Sequence, residues 1–293
     1  MSRCLITGHR GFIGSHLYRK LVANASHDVI GIDKDDIGNQ EIVEIFTGQR
    51  PKIFAKIQEF APEYIFHLAA LPRIMTTIEQ PVHSLMMNIL ASSLLLDFSR
   101  QIGTKRFIFS SSSSVVGNGN GPTNPYALHK LTTEHECRLY SELYDCDTVS
   151  LRYFNVYAPD QPADGPYATA ICNWMEFIRQ KQNPFITGDG IQRRDMIHVD
   201  DVVDSNIFAM NRAEDFGGAH YDVGTGKNMS LNEMRKIVEK IFPDVVFETR
   251  EDRPNEVSET LADTNALLEM GWSAKISPGM GIKKCFKELK KNI

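Results

Sequence analysis

The chain has 293 residues, 42% of them hydrophobic and 24% charged, the proportions of a globular chain long enough to bury a sizeable core. Its net charge of −5 supplies no basic excess for nucleic acid or an anionic bilayer, so an anionic ligand would have to meet local arginines. Five scattered cysteines without CxxC spacing read as reduced thiols with no metal site, and the absence of a leader or of an 18-residue apolar run predicts a cytoplasmic protein with no membrane span.

The first element begins almost at residue 1. A short apolar run at 3–7 predicts a strand, and Gly8, Gly11 and Gly14 follow it and open an amphipathic helix over 12–24. Strand, glycine turn and helix start form a phosphate site, because glycines let the backbone approach a pyrophosphate and the helix end offers N–H donors. A second strand at 28–33 ends on Asp33, placed to accept hydrogen bonds from an adenosine ribose. Further strands are predicted at 42–46, 63–68, 105–111 and 147–153, with helices at 51–60, 81–102 and 125–145 and only a loop between Asp33 and Ile42. That alternation predicts an α/β fold with a doubly wound parallel Rossmann sheet.

Beyond about residue 156 the character changes. Pro159, Pro162, Gly165 and Pro166 break the chain before a helix at 168–182. A turn-rich stretch at 183–190 precedes short strands at 194–199 and 219–223 and helices at 200–212, 230–241, 263–270 and 279–290. The expected division is a dinucleotide-binding domain over 1–156 and a smaller C-terminal α/β substrate-binding region over 157–293, with 194–225 packing back onto the first sheet.

The chemistry concentrates between Phe107 and Lys130. A serine cluster, 110–114, ends the apolar run, and Tyr126 and Lys130 stand four residues apart on one helical face. A phenol titrates near ~10 when unperturbed, and an ammonium one turn away should lower that value. A serine hydroxyl from the strand end could share a proton with the tyrosine or with a substrate alcohol. Such a set can move a proton off a carbinol while hydride leaves its carbon. The Tyr-x-x-x-Lys spacing alone is common on helix surfaces; it gains meaning from the glycine loop.

Together TGHRGFIGSHL (7–17), FHLAA (66–70), Asn88, FSSSSSVVG (109–117), NPYALHK (124–130), LRYFNVYAPDQ (151–161) and RRDMIHVDDVV (193–203) resemble an extended short-chain dehydrogenase/reductase. More narrowly, they resemble the NAD-dependent epimerase/dehydratase enzymes of nucleotide sugars. The resemblance is collinear from residue 2 to about 289. It implies Ser112, Tyr126 and Lys130 as the catalytic set. It implies NAD binding by Gly8, Gly11, Phe12, Ile13, Gly14, Asp33, Lys34, Leu68, Ala69, Ala70, Leu71, Asn88, Ser110 and Phe154, together with Tyr126 and Lys130. It also implies a nucleotide-diphosphate sugar, UDP-linked, held by Thr77, Asn155, Arg194, Arg253 and Thr260, with Asn155 and the two arginines on the phosphates. Thr77 equally suits a helix cap. A homodimer built on the helices at 81–102 and 125–145, which carry Leu85, Met86, Ile89, Leu94, Leu95 and Leu139, many of them explained by packing on their own sheet, and a place in polysaccharide biosynthesis are further implications.

Departures from the family pattern narrow the reaction. Dehydratases of the family follow the catalytic hydroxyl with an Asp-Glu pair, and related decarboxylases keep a glutamate second in line; here Ser113 and Ser114 occupy those places. The remaining reading is 4-epimerisation through a transient 4-keto sugar. Thr260 replaces the bulky aromatic that restricts some relatives to plain hexoses, so N-acetylhexosamines are admitted. Gln49-Arg50 departs from an Asp-hydrophobic pair expected after a third strand. Arg10 could pair with a 2′-phosphate, but Asp33 would repel it, which favours NAD over NADP. An NADPH-dependent 4-ketosugar reductase and a non-catalytic cofactor sensor are the alternative readings.

Overall fold

The computed structural model describes residues 1–34, 42–117, 119–163, 169–251 and 257–293. The elements run β1 (Ser2–Thr7), α1 (Phe12–Val22), β2 (His27–Ile32), α2 (Ile42–Phe46), α3 (Pro51–Phe60), β3 (Tyr64–His67), α4 (Ile74–Glu79), α5 (Pro81–Leu85), α6 (Ala91–Ile102), β4 (Arg106–Ser112), α7 (Pro125–Tyr144) and β5 (Thr148–Tyr153). There follow β6 (Val156–Tyr157), α8 (Ala170–Arg179), β7 (Phe185–Thr187), β8 (Arg193–Asp195), β9 (Ile197–His198), α9 (Val199–Asn211), β10 (His220–Val223), β11 (Asn228–Ser230), α10 (Leu231–Ile241), β12 (Glu248–Arg250), β13 (Glu259–Thr260), α11 (Asn265–Glu269) and α12 (Pro278–Asn292). The chain divides into two units, Met1–Arg152 with Val203–Tyr221, and Tyr153–Val202 with Asp222–Ile293.

The first unit is built on the expected parallel α/β sheet, six strands in the order β2-β1-β3-β4-β5-β10. Cys4, Leu5, Ile6 and Thr7 are fully buried, as a central strand covered on both faces requires. The registers pair Thr7 with Ile32, Thr7 with His67, and His67 with Phe109. The carboxyl ends of four strands are therefore level. They deliver the glycine loop, Leu68–Leu71 and the serine cluster to one edge. Strand order reverses between β2 and β3 around β1, which is where this fold opens its binding crevice.

Two local expectations are corrected. Residues 42–46 form a helix, not a strand: Ile42, Val43 and Ile45 are buried while Glu44 is half-buried. A five-residue apolar run has no periodicity that separates the two structures, and helical packing against Ala91 and Leu94 decides it. Gln49 and Arg50 accordingly lie between α2 and α3, Arg50 pairing with Glu44 at 3.8 Å, and follow no strand. The loop expected between Asp33 and Ile42 lies mostly outside the described residues, as do Gly165 and Pro166.

The helix over Pro81–Ile102 contains a π-helical turn at Met86–Leu90, centred on Asn88. Its 22 residues meet the length and composition of a membrane span, contrary to the expectation that no stretch does, and 44% of the apolar window is buried in the protein. Of its apolar residues, Leu95 is core and Leu94 packs on α2, whereas Leu85 and Met86 are exposed. Leu139 on α7 is exposed too.

The second unit has its own core, in which Tyr157, Trp174, Met175, Phe247 and Phe286 are buried. Its small sheets are β11-β8-β13, β12-β7 and β6-β9. Asp201, 2% exposed, accepts the backbone N–H groups of Lys275 and Ile276, each at 3.0 Å, and so anchors the segment entering α12.

Candidate active site

At the β1 edge the glycines are demanded by the turn. Gly8 has φ +74°, and a Cβ there would lie 2.7 Å from the Ala69 nitrogen; a Cβ on Gly14 would lie 2.0 Å from the Gly8 carbonyl oxygen. The loop is a backbone cradle, and α1 starts from Gly11 with no side-chain cap on its first amides. Phe12 and Ile13, the first helical residues, are half-buried beside it. Asp33 is half-buried at the end of β2 and accepts the Arg10 N–H at 3.0 Å, while Lys34 is exposed. The cradle, the uncapped amides and the anchored carboxylate fit a dinucleotide with a free ribose diol.

Next to it, Leu68, Ala69, Ala70 and Leu71 leave β3 half-buried. The π turn aims Asn88 at them: its Oδ1 accepts the Leu71 N–H at 2.6 Å and its Nδ2 donates to the Leu71 carbonyl at 3.1 Å. A second set of bonds, absent from the sequence reading, backs this segment. Ala69 N–H donates to Thr7 Oγ1 at 3.3 Å, Thr7 Oγ1 meets His67 Nδ1 at 2.7 Å, His67 Nε2 meets Ser92 Oγ at 2.8 Å, and Ser92 donates to the Asn88 carbonyl at 2.7 Å. The Ser92 proton is spent on Asn88, so His67 Nε2 must donate and Nδ1 must accept from Thr7. His67 is therefore a neutral histidine in one tautomer. Burial, with the Lys130 charge adding to it, holds its pKa down to about 3.

The serine–tyrosine–lysine set assembles within the same unit. Asn124 caps α7 through a 3.0 Å bond from the Ala127 N–H, and Pro125 opens the helix. Lys130, 4% exposed, donates to the Ser110 carbonyl at 2.6 Å. Its Nζ lies 4.6 Å from the Phe109 ring centroid and 5.9 Å from that of Tyr126. Tyr126 hydrogen-bonds Ser112. Ser112 Oγ accepts from the Ser114 N–H at 3.2 Å and the Ser114 hydroxyl at 2.9 Å. With both lone pairs engaged, Ser112 must donate its own proton to the Tyr126 oxygen, an arrangement that favours the phenolate.

Burial works the other way. It pushes Tyr126 up to about 12, against the Ser112 bond, and Lys130 down to about 7, against the charge of Glu134. The expected lowering of the phenol by its lysine is thus absent in the free protein, because desolvation of both groups outweighs their proximity.

In the second unit Phe154 is buried and donates its N–H to the Val223 carbonyl at 3.1 Å. Asn155 Nδ2 donates to the Asp195 carbonyl at 2.8 Å and to Thr260 Oγ1 at 3.0 Å. A reversed amide would set Oδ1 against the Asp195 carbonyl, so the orientation is fixed. Both amide protons are spent, and Asn155 keeps an acceptor rather than the donor that a phosphate contact needs. Thr260 pairs with Arg194 across β13 and β8, and its hydroxyl also accepts the Asp195 N–H at 3.3 Å. Arg194 is half-buried and donates to the Arg193 carbonyl at 2.9 Å. Arg253 lies outside the described residues. In the first unit, Thr77 is buried inside α4 and donates to the Ile74 carbonyl at 2.7 Å; the residue preceding that helix is Arg73, so Thr77 is no cap.

Sequence reasoning missed Asp195. Its fully buried carboxylate accepts from the Thr225 N–H at 2.9 Å, the Thr225 hydroxyl at 2.7 Å, the Gly226 N–H at 2.9 Å and the Ala262 N–H at 3.2 Å. It locks β8 and with it the Asn155–Thr260 bond. Its only signal was the RRD tripeptide, in which an aspartate reads as a surface partner for arginine.

Comparison with known proteins places this geometry. A sequence model of the NAD dependent epimerase/dehydratase family matches residues 4–224. A putative UDP-glucose 4-epimerase of Methanocaldococcus jannaschii is 31% identical over 98% of each chain. A UDP-N-acetyl-alpha-D-glucosaminuronate decarboxylase of Bacillus cytotoxicus is 31% identical over 82% of this chain and 80% of its own. The crystal structure of a UDP-glucose 4-epimerase with UDP-glucose from Thermotoga maritima superposes with a TM-score of 0.89 at 29% identity, covering 99% of both chains.

Proposed function

We propose, from the premise that this chain belongs to the NAD dependent epimerase/dehydratase family, that it is an NAD-dependent 4-epimerase of a UDP-hexose or UDP-N-acetylhexosamine. The observation that carries the reading is the turn after Ser112. Ser114 spends its N–H and its hydroxyl on Ser112. Neither Ser113 nor Ser114 can serve as the carboxylate acid or base that elimination or decarboxylation would use there. What remains is a hydroxyl relay ending on Tyr126, suited to taking a proton from a 4-hydroxyl and returning it.

The glycine cradle, Asp33 and Leu68–Leu71 would hold NAD, with Lys130 on its nicotinamide ribose and Phe154 beside the nicotinamide. When bound, NAD supplies reversible hydride acceptance at C4 of the sugar, so turnover needs no net oxidant. Tyr126 exchanges the proton of the 4-hydroxyl. Ser112 donates to the tyrosine oxygen and thereby stabilises its charged form, and the Lys130 ammonium adds a positive charge one turn away. Arg194 and Arg253 hold the diphosphate with guanidinium forks. Asn155 Oδ1 accepts a substrate hydroxyl, Thr77 sits near the sugar hydroxyls, and Thr260 leaves room for an acetamido group. Exposed Val82, Leu85, Met86, Leu128, Leu139 and Leu143 on α5, the π turn and α7 support a homodimer, whose mass light scattering would report.

The test is product analysis. UDP-glucose, UDP-galactose and their N-acetyl counterparts, incubated separately with the protein, are followed by NMR at the anomeric protons. Interconversion of C4 epimers from either side supports the reading. Carbon dioxide release from a UDP-uronic acid, or a dehydrated product, would overturn it.

A further inference from the structure

One turn beyond Lys130, α7 carries another buried polar side chain. Glu134 is 4% exposed, and its carboxylate is gripped on both oxygens. Oε1 accepts from Ser111 Oγ at 2.5 Å and from Arg152 Nε at 2.8 Å, and Oε2 accepts from the Arg152 guanidinium at 2.6 Å. Ser111 belongs to β4 and Arg152 to β5. The carboxylate is thus fixed from two strands of the sheet while it rides on the helix that carries Tyr126 and Lys130.

Tyr126, Lys130 and Glu134 follow at steps of four, so they share one face of α7. The polar groups alternate along that face: phenol, ammonium, carboxylate, then the guanidinium from β5. Among the described residues, the surroundings of Lys130 offer little else of negative sign. From β4 come the Phe109 ring and the Ser110 carbonyl, and from β3 comes His67, held neutral. On α7 itself stand Tyr126, His129, whose pKa burial lowers, and Cys137, whose pKa burial raises, so both are neutral near pH 7. Burial drives Lys130 toward the neutral amine, and Glu134 is the foremost group opposing that drift.

We propose that Glu134, fixed by Arg152 and Ser111, is a positioning residue that acts through Lys130, keeping its ammonium charged against the Ser110 carbonyl and beside Tyr126. The proposal rests on the reading of Lys130 as partner of an acid/base Tyr126. If Glu134 loses its charge, Lys130 loses the foremost charge that holds its proton, while the Arg152 guanidinium stays. Lys130 then gives up its proton at lower pH. If Arg152 loses its charge instead, Glu134 acts on Lys130 undiluted, and the proton is held to higher pH.

The experiment is the pH dependence of kcat for the NAD-loaded enzyme, in wild type, Glu134→Gln, Arg152→Met, the double variant and Lys130→Met. Glu134→Gln should move the alkaline limb down by ~1 pH unit, so that activity falls ~10-fold on that limb while the acid side changes little. Arg152→Met should move the limb up, and the double variant should return it at least half way toward wild type. A purely structural role predicts lower kcat at every pH with the limb unmoved, and that result overturns the proposal. Should Glu134→Gln not fold, the upward shift in Arg152→Met carries the test by itself, and an unmoved limb there overturns it equally. Full activity in Lys130→Met would instead remove the reading of Lys130 on which the proposal stands.

Discussion

Replacing Tyr126 by Phe separates chemistry from structure at this site. The ring stays, with its place on α7 next to Lys130, and only the hydroxyl is lost. Ser112 Oγ keeps both donors from Ser114, at 3.2 and 2.9 Å, so it is not orphaned; only its own proton loses an acceptor. One such bond is worth about 1 kcal/mol, a shift of a few degrees in Tm for a chain of this size. A positioned proton donor and acceptor contributes at least ~100-fold to rate, about 2.7 kcal/mol. The expected variant therefore melts near wild type, retains NAD, shows a similar KM and loses at least ~100-fold in kcat. The assay is initial-rate epimerisation of UDP-hexose by protein whose NAD content has been measured on the same preparation. A kcat within ~3-fold of wild type would refute the role of Tyr126, and a parallel loss of stability and NAD would refute the claim that its hydroxyl acts mainly in chemistry.

Asn88→Ala removes both bonds to Leu71; at about 1 kcal/mol each, NAD affinity measured by fluorescence titration should weaken ~30-fold, and unchanged affinity would show that this segment does not bear on the cofactor. His67 titrates near 3 when folded against 6.5 for the free side chain, so its contribution is complete above pH 6.5 and is lost as pH falls from there toward 3. Denaturant unfolding from pH 7 to 5 should show about 1 kcal/mol per pH unit more acid sensitivity in wild type than in His67→Gln, averaged over that range, and equal slopes would contradict the neutral histidine. Thr260→Tyr alone confounds pocket size with loss of the bond from Asn155, so it is paired with Thr260→Val, which removes only the hydroxyl. Val should raise KM for all UDP-sugars alike and Tyr should depress the N-acetyl substrates further; equal effects of Tyr on both sugar classes would sink the wall role of Thr260.

What the sequence revealed and what it hid divide along physical lines. β1, β2 and β4 are apolar runs bounded by turn residues, and α7 announces its start with Asn-Pro, so their places were legible. The run at 42–46 was not, because five apolar residues fit a strand and a buried helix equally well. The π turn at Asn88 has no sequence signal, yet it directs the Asn88 amide onto Leu71. The hidden residues are buried polar groups, three in the first unit and one in the second. His67, Ser92, Glu134 and Asp195 look like ordinary surface residues until the fold supplies their partners. Motif matching found Ser112, Tyr126 and Lys130, but the order of hydrogen-bond donors running from Ser114 to Ser112 to Tyr126 exists only in three dimensions.

The central claim, that one hydride leaves C4 and returns to its other face within the same site, is tested most directly by UDP-glucose carrying deuterium at C4. The expected product is UDP-galactose with the deuterium retained at C4, with no exchange with solvent and no accumulation of reduced NAD. Loss of the label to water, or its transfer to another carbon, would contradict it.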